Sequence, residues 1–152
     1  MNKIVVISLV LVTIIGVFIL IQIGNTSSVN QESTRNTKEL IPTNEITHGH
    51  GLAVDVAEPS KLYIATHHGL LVLVDEKDLF RVGTSRDDYM GFSAHPANPK
   101  TFFSSGHPES GGNVGFQKSE DGGMNWKKIS NGLNGPVDFH AMAVGPVNPD
   151  LV

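Results

Sequence analysis

The chain has 152 residues, a formal net charge of −4, 16 glycines, 8 prolines, 7 histidines and no cysteine. Without cysteine there are no disulfides, no thiolate metal ligands, no thiol nucleophile and no lipidated-cysteine anchor. A mildly acidic balance with no basic face argues against nucleic acid as a partner.

From the amino terminus, residues 1–3 form a short tip and Ile4 to Ile23 a run of 20 residues without a charge. About 20 apolar residues in a helix span the ~30 Å hydrocarbon core of a bilayer. The apolar core of a cleaved secretory signal is shorter, roughly 7–15 residues. Ile21-Gln22-Ile23-Gly24-Asn25 is also a poor cleavage site. The run therefore predicts a transmembrane signal anchor over 4–23. Lys3 precedes it, which places the tip in the cytoplasm and the rest of the chain outside, as a single-pass protein of the cell membrane. Residues 24–45 are rich in Ser, Thr and Asn and carry no aromatic residue. Such a stretch buries too little apolar area to order itself and reads as a flexible polar stalk.

Beyond residue 46 the chain repeats itself. His50-Gly51-Leu52-Ala53-Val54 leads to Glu58-Pro59 and then to Leu62-Tyr63-Ile64-Ala65. Met90-Gly91-Phe92-Ser93-Ala94 leads in the same way to Asn98-Pro99 and Phe102-Phe103, and His140-Ala141-Met142-Ala143-Val144 leads to Asn148-Pro149. A period of ~40–50 residues built from short β-type runs is that of propeller blades. The first unit is expected to form strands over Gly51–Val54, Leu62–Thr66, Leu70–Val74 and Leu79–Val82. The second is expected to form them over Gly91–Ala94, Thr101–Ser104, Val114–Lys118 and Trp126–Ile129. Pro59, Pro99 and Pro149 fall in the links between first and second strands, where a missing N–H breaks no ladder.

The predicted fold is thus all-β: an incomplete β-propeller of two four-stranded blades plus the start of a third (about 46–85, 86–134 and 135–152), after an N-terminal transmembrane helix. Closed propellers take typically 4–8 blades. The expectation is a fragment of a longer protein, or a chain that assembles with others.

Ser119-Glu120-Asp121-Gly122-Gly123-Met124-Asn125-Trp126 matches Ser-x-Asp-x-Gly-x-x-Trp at every fixed position. It resembles the Asp-box, or BNR repeat, of sialidase-like, sortilin-like and photosystem II assembly-factor-like propellers. The chain is also similar to glycosyl-hydrolase-like proteins in which a His-x-His-Gly-Leu-Ala start and a Tyr-Ile-Ala-Thr-His-His-Gly segment recur. The resemblance covers residues 48–152 and implies a hairpin between third and fourth strands. In such a hairpin Ser119 and Asp121 bind turn amides, Gly123 takes a positive φ and Trp126 packs between blades. In the first unit, Val74–Phe80 keeps an acid and an aromatic but no glycine at that place.

Several histidines fall at matching positions. His50 and His140 each precede a first strand, and His67 and His107 each follow a second, with His48 and His68 beside them. Repeated packing is the simpler reading. The sharper one is a site lined by His48, His50, His67, His68, His107 and His140 that takes a divalent transition metal, or another ligand, at one end of the repeats. His95, beside Pro96, reads as a surface turn residue, and Asp87-Asp88 as a solvated turn.

Catalysis has less behind it. A sialidase-type mechanism implies an arginine cluster, a Tyr nucleophile assisted by Glu and an acid/base Asp. Residues 46–152 hold only Arg81 and Arg86, and neither Tyr63 nor Tyr89 has a Glu partner in sequence. The functional expectation is a membrane-anchored extracytoplasmic binding or scaffold module that meets a metal, a glycan or a protein. Part of a sialidase-like glycoside hydrolase is the alternative.

Overall fold

The computed structural model describes residues 40–152. The tip, the predicted signal anchor and residues 24–39 of the predicted stalk lie outside the described residues. Among the described residues there is no helix, and so none long and apolar enough to cross a membrane.

The described chain is all-β. Its strands are β1 (Leu40–Pro42), β2 (Gly49–Val54), β3 (Lys61–Thr66), β4 (Gly69–Val74), β5 (Asp78–Val82), β6 (Asp88–Ala94), β7 (Phe102–His107), β8 (Phe116–Ser119) and β9 (Lys127–Ser130). They form two antiparallel sheets, in the orders β1-β5-β4-β3-β2 and β6-β7-β8-β9. The eight strands expected from the first two repeats are all present, with ends displaced by at most three residues. Two features differ from expectation. Leu40–Pro42, placed in the polar stalk by composition, pairs with β5 as a fifth strand. Leu40 packs against the core there, and Thr43 N donates to Leu79 O at 3.0 Å. Residues 140–144, expected as a third first strand, form none.

Alternation explains the core. In a strand, every second side chain shares a face. Tyr63 and Ala65 of β3, Leu70 and Val72 of β4 and Val82 of β5 present one face of the first sheet. Tyr89, Phe92 and Phe102 of the second sheet meet it. Tyr63 and Phe102 cross edge to face at 4.6 Å between ring centroids. Tyr89 and Phe92 are an odd number of positions apart, so a regular strand would aim them oppositely. A bulge between them restores the common face. An equivalent bulge in β2 lies between Gly49 and Gly51, which leaves His50 outside the regular pairing with β3.

The repeats approach closely at two glycines. A Cβ on Gly51 of β2 would stand 2.9 Å from Phe92 Cβ, and one on Gly91 of β6 would collide with the Phe139 carbonyl and touch Met142 Cβ at 3.4 Å. Phe92 and Met142 hold the same place in successive repeats. Each repeat therefore seats its apolar residue on the preceding repeat's glycine.

Three copies of one loop follow. Asp55 N donates to Lys61 O and Lys61 N to Glu58 O; His95 N to Thr101 O and Thr101 N to Asn98 O; Gly145 N to Leu151 O and Leu151 N to Asn148 O. Asp55 Oδ1 also accepts from the amides of Ala57 and Glu58 at 2.8 and 3.0 Å. In the second copy His95 Nδ1 does the same for Ala97 and Asn98, both at 3.1 Å. His95 is thus a turn-capping acceptor.

The Ser119–Trp126 hairpin is held by its short polar side chains. Ser119 Oγ donates to Asp121 Oδ1 at 2.8 Å and accepts from Gly123 N at 2.9 Å. Asp121 Oδ1 accepts from Asn125 N at 2.9 Å. Gly123 has φ +91° and lies against Leu70, Val82 and Phe102, so a Cβ has neither the conformation nor the room. Trp126 packs on the core 5.2 Å from Tyr89, and its Nε1 donates to Gly123 O at 3.1 Å. The hairpin thereby lies in the contact between the two sheets.

Two substitutions test these contacts. Gly51→Ala forces Phe92 aside and is expected to cost about 1–3 kcal/mol by overpacking. Ser119→Ala leaves the buried Gly123 amide without its acceptor and is expected to cost about 1–3 kcal/mol. Urea unfolding followed by circular dichroism reads both; a midpoint equal to the parent's refutes the assigned contact.

Candidate metal centre

The two sheets meet at one end through the residues just before β6 and just after β3. The β2 bulge turns His50 toward this seam. His67 follows the last residue of β3, and Asp88 opens β6. His50 Nε2 stands 3.3 Å from His67 Nδ1 and 3.6 Å from Asp88 Oδ1, while His67 Nδ1 is 2.7 Å from Asp88 Oδ2. The ligand atoms of the three residues all lie within 4.8 Å of one another. Two donor atoms each ~2.05 Å from one tetrahedral ion are roughly 3.3 Å apart, so this spacing suits a single zinc-like ion. His50 and Asp88 are mostly buried, with side chains 14% and 18% exposed. The imidazole of His48 is exposed and flanks the group, with ring centroids 4.9 Å from His50 and 5.3 Å from His67.

A second cluster occupies the next seam. His107 ends β7, and residues 138–140 pass beside it. Asp138 Oδ2 lies 3.2 Å from His107 Nε2 and 2.7 Å from His140 Nε2. The correspondence follows the repeat. Asp88 and Asp138 both stand three places before the first-strand position held by Gly91 and Ala141. In the first repeat that place is His48. The row across the end of the repeats thus alternates His67, Asp88, His107 and Asp138, with His50 and His140 beside it. In both aspartates Oδ1 is buried and has no hydrogen-bond partner among the described residues.

Charge in the seam is tuned unequally. Burial, reinforced by the facing His67, lowers the pKa of His50 from the ordinary 6.5; Asp88 opposes this, and His48 and His140 add to the lowering. His107 moves the other way, raised chiefly by its hydrogen bond to the Gly112 carbonyl and by Asp138 and Asp88. Its Nδ1 donates to Gly112 O at 2.8 Å, which leaves Nε2 as the nitrogen facing Asp138.

The structure brings five of the six predicted histidines into this row: His48, His50, His67, His107 and His140. His68 is apart. It is exposed in the β3–β4 turn and lines a small cleft with Thr47, Arg81 and Arg86. The predicted hairpin residues Ser119, Asp121, Gly123 and Trp126 sit in the inter-sheet contact, not in the row. Asp88, read from sequence as half of a solvated turn, is a member of the site; its neighbour Asp87 is the turn residue, accepting from Glu109 N at 2.9 Å. Asp138 had no local signal, although its offset from Asp88 matches the repeat. Tyr63 and Tyr89 are core residues bonded to Asp55 and Ser85, and burial pushes both up to about 12. Neither is poised as a nucleophile.

Compared with known families, with curated proteins and with solved structures, the chain matches none.

The two shifts have opposite linkage. His50 binds its proton less readily folded than unfolded, so its contribution to stability is lost as pH falls below about 6.5. His107 binds its proton more readily when folded, so its contribution is present at low pH and fades as pH rises through its folded pKa. His50→Ala is expected to flatten the fall in urea midpoint between pH 7 and pH 5, and His107→Ala to steepen it. Imidazole proton shifts in metal-free protein should place His50 below 6.5 and His107 above it; the reverse order overturns the assignment.

Proposed function

We propose that the protein is a membrane-anchored, extracytoplasmic binding module of β-propeller type whose first seam takes a divalent transition metal through His50, His67 and Asp88. The observation that carries the reading is the convergence of three ligand atoms within 4.8 Å of one another, drawn from two sheets. A row that served packing alone would have no need of two imidazole nitrogens facing each other at 3.3 Å beside a carboxylate. A cation can take a lone pair from each of the three groups at once, which a single proton cannot. Two imidazoles and one carboxylate form a ligand set that suits zinc and its borderline neighbours.

Several observations support the wider reading. The apolar run 4–23 is long enough to span a bilayer. The sheets repeat at the blade period, stack through successive inner strands and carry a hairpin with the Asp-box pattern. Read as blades, the sheets have β2 and β6 as inner strands, and His50 and Asp88 lie near one end of these. A three-residue centre leaves coordination positions for a further ligand, such as a side chain of a partner protein or the hydroxyls of a glycan.

The test is metal analysis. Full-length protein without a polyhistidine tag, purified in detergent, stripped with chelator and reloaded with Zn²⁺, should retain zinc through dialysis. His50→Ala, His67→Ala and Asp88→Asn should each weaken binding at least tenfold, about 1.4 kcal/mol. Parent protein that retains no zinc, cobalt, nickel or copper ends the proposal.

A further inference from the structure

A strand covered on one face alternates apolar and polar residues, whereas a strand covered on both runs apolar without a break. Strand β4, Gly69-Leu70-Leu71-Val72-Leu73-Val74, is such a run. Leu70 and Val72 enter the core shared with the second sheet. Leu71 and Leu73 belong to the opposite face. The antiparallel register sets Ile64 and Leu52 in line with Leu71, and Leu62 and Val54 in line with Leu73. The first sheet is thus aliphatic on both faces, as a middle layer is. Ile64 and Leu71 are covered, but Leu52 is 67% exposed and Val54 54%. Leu62, Leu73 and Val54 line an open hollow with Pro59.

The repeat indicates what belongs on that face. Leu52 holds the place of Phe92 and Met142. Phe92 sits on Gly51 of the repeat before it, and Met142 on Gly91. Among the described residues Leu52 has no such seat. The matching seat in the third repeat, at the place of Gly51 and Gly91, is Ala141. It is exposed and lines an open apolar hollow with Phe116, Phe139, Met142 and Ala143. One side of the chain therefore presents the knob of the repeat contact, and the other side presents an unfilled seat.

We infer that a second copy of this chain joins them: Leu52 and Val54 of one copy dock on Ala141 and Phe139 of the next, head to tail. The contact continues the one that already joins the repeats within the chain. An unrelated partner would have to reproduce the knob or the seat, and a copy carries both. At the Gly91–Met142 contact a Cβ in the seat stands 3.4 Å from the Met142 Cβ, at the limit of ordinary contact, so a seat with alanine's methyl is compatible with that spacing. A contact between two different surfaces closes into a ring if the rotation allows. At two sheets per chain, a ring of ~4–8 blades takes roughly two to four copies.

The absence of cysteine makes the contact testable by engineered thiols. Full-length Leu52→Cys and Ala141→Cys proteins in detergent, mixed and oxidised, should give at least tenfold more disulfide-linked dimer than either oxidised alone. Sedimentation velocity in density-matched detergent should show the parent assembled, and Leu52→Asp or Ala141→Asp as single chains. Both positions are exposed, and circular dichroism equal to the parent's checks that each variant folds. Mixed together, the two aspartate variants should recover dimers and nothing larger, because each keeps the side that the other has lost. A parent that stays a single chain at every concentration, as it would if the open face took a different protein, overturns the inference. Assembly that persists in both aspartate variants, as association through residues 4–23 would, overturns it too. So does cross-linking of Leu52→Cys to itself in preference to Ala141→Cys.

Discussion

The seating of one repeat's apolar residue on the glycine of the repeat before it governs the rest of the molecule. A single antiparallel sheet of four or five strands has an apolar face and nothing to cover it. Here Phe92 reaches the backbone of β2 at Gly51, and Met142 reaches that of β6 at Gly91. Any larger residue at either glycine would hold the neighbours apart by the thickness of a side chain. With the strands this close, Tyr63, Leu70 and Val72 meet Tyr89, Phe92 and Phe102 in one continuous core. The same closeness brings the ends of the strands together, and with them the imidazoles and carboxylates. Packing and candidate chemistry therefore share one cause.

The bulges connect these two consequences. Strands β2 and β6 each carry an irregularity at or beside their glycine, between Gly49 and Gly51 in β2 and between Tyr89 and Phe92 in β6. On the core side the second bulge lets Tyr89 and Phe92 share a face. At the strand end the first releases His50 from the ladder and turns it to the seam. A regular strand could bury its core residues or aim its histidine, but the strict two-residue period would not allow both.

Much of this was legible in the sequence because repetition was. Two offsets, 40 and 50 residues, located the strands, the proline-bearing loops and the matching histidines. Three features escaped, each for a physical reason. Leu40–Pro42 is too short to show a period and is surrounded by polar residues, so only its pairing with β5 reveals it as a strand. Asp88 looks like its neighbour Asp87, and no local pattern tells an acid that opens a strand from one that caps a turn. Asp138 follows a Gly/Pro/Asn-rich stretch and has no such pattern at all. Both acids become visible once the repeats are aligned on Gly51, Gly91 and Ala141, because the equivalent place in the first repeat is a histidine. Matching histidine to histidine misses this position, held by His48, Asp88 and Asp138, and with it the alternation of His67, Asp88, His107 and Asp138 across the end of the repeats.

That alternation is what a cation would read. In each seam an aspartate from one repeat faces a histidine from the repeat before; at the first seam His50 leans in from β2 of the earlier repeat, and at the second His140 from the later one. A proton shared within the group resides on one nitrogen and points along one line, to one oxygen. It leaves the other imidazole and the buried Oδ1 as they were. A divalent ion acts along several directions at once and can draw both imidazole nitrogens and the carboxylate into one shell. Burying a carboxylate oxygen without a partner costs on the order of 1–3 kcal/mol or more. At the first seam a cation could meet that oxygen and both imidazoles together. There the ion would join two sheets already held by their cores.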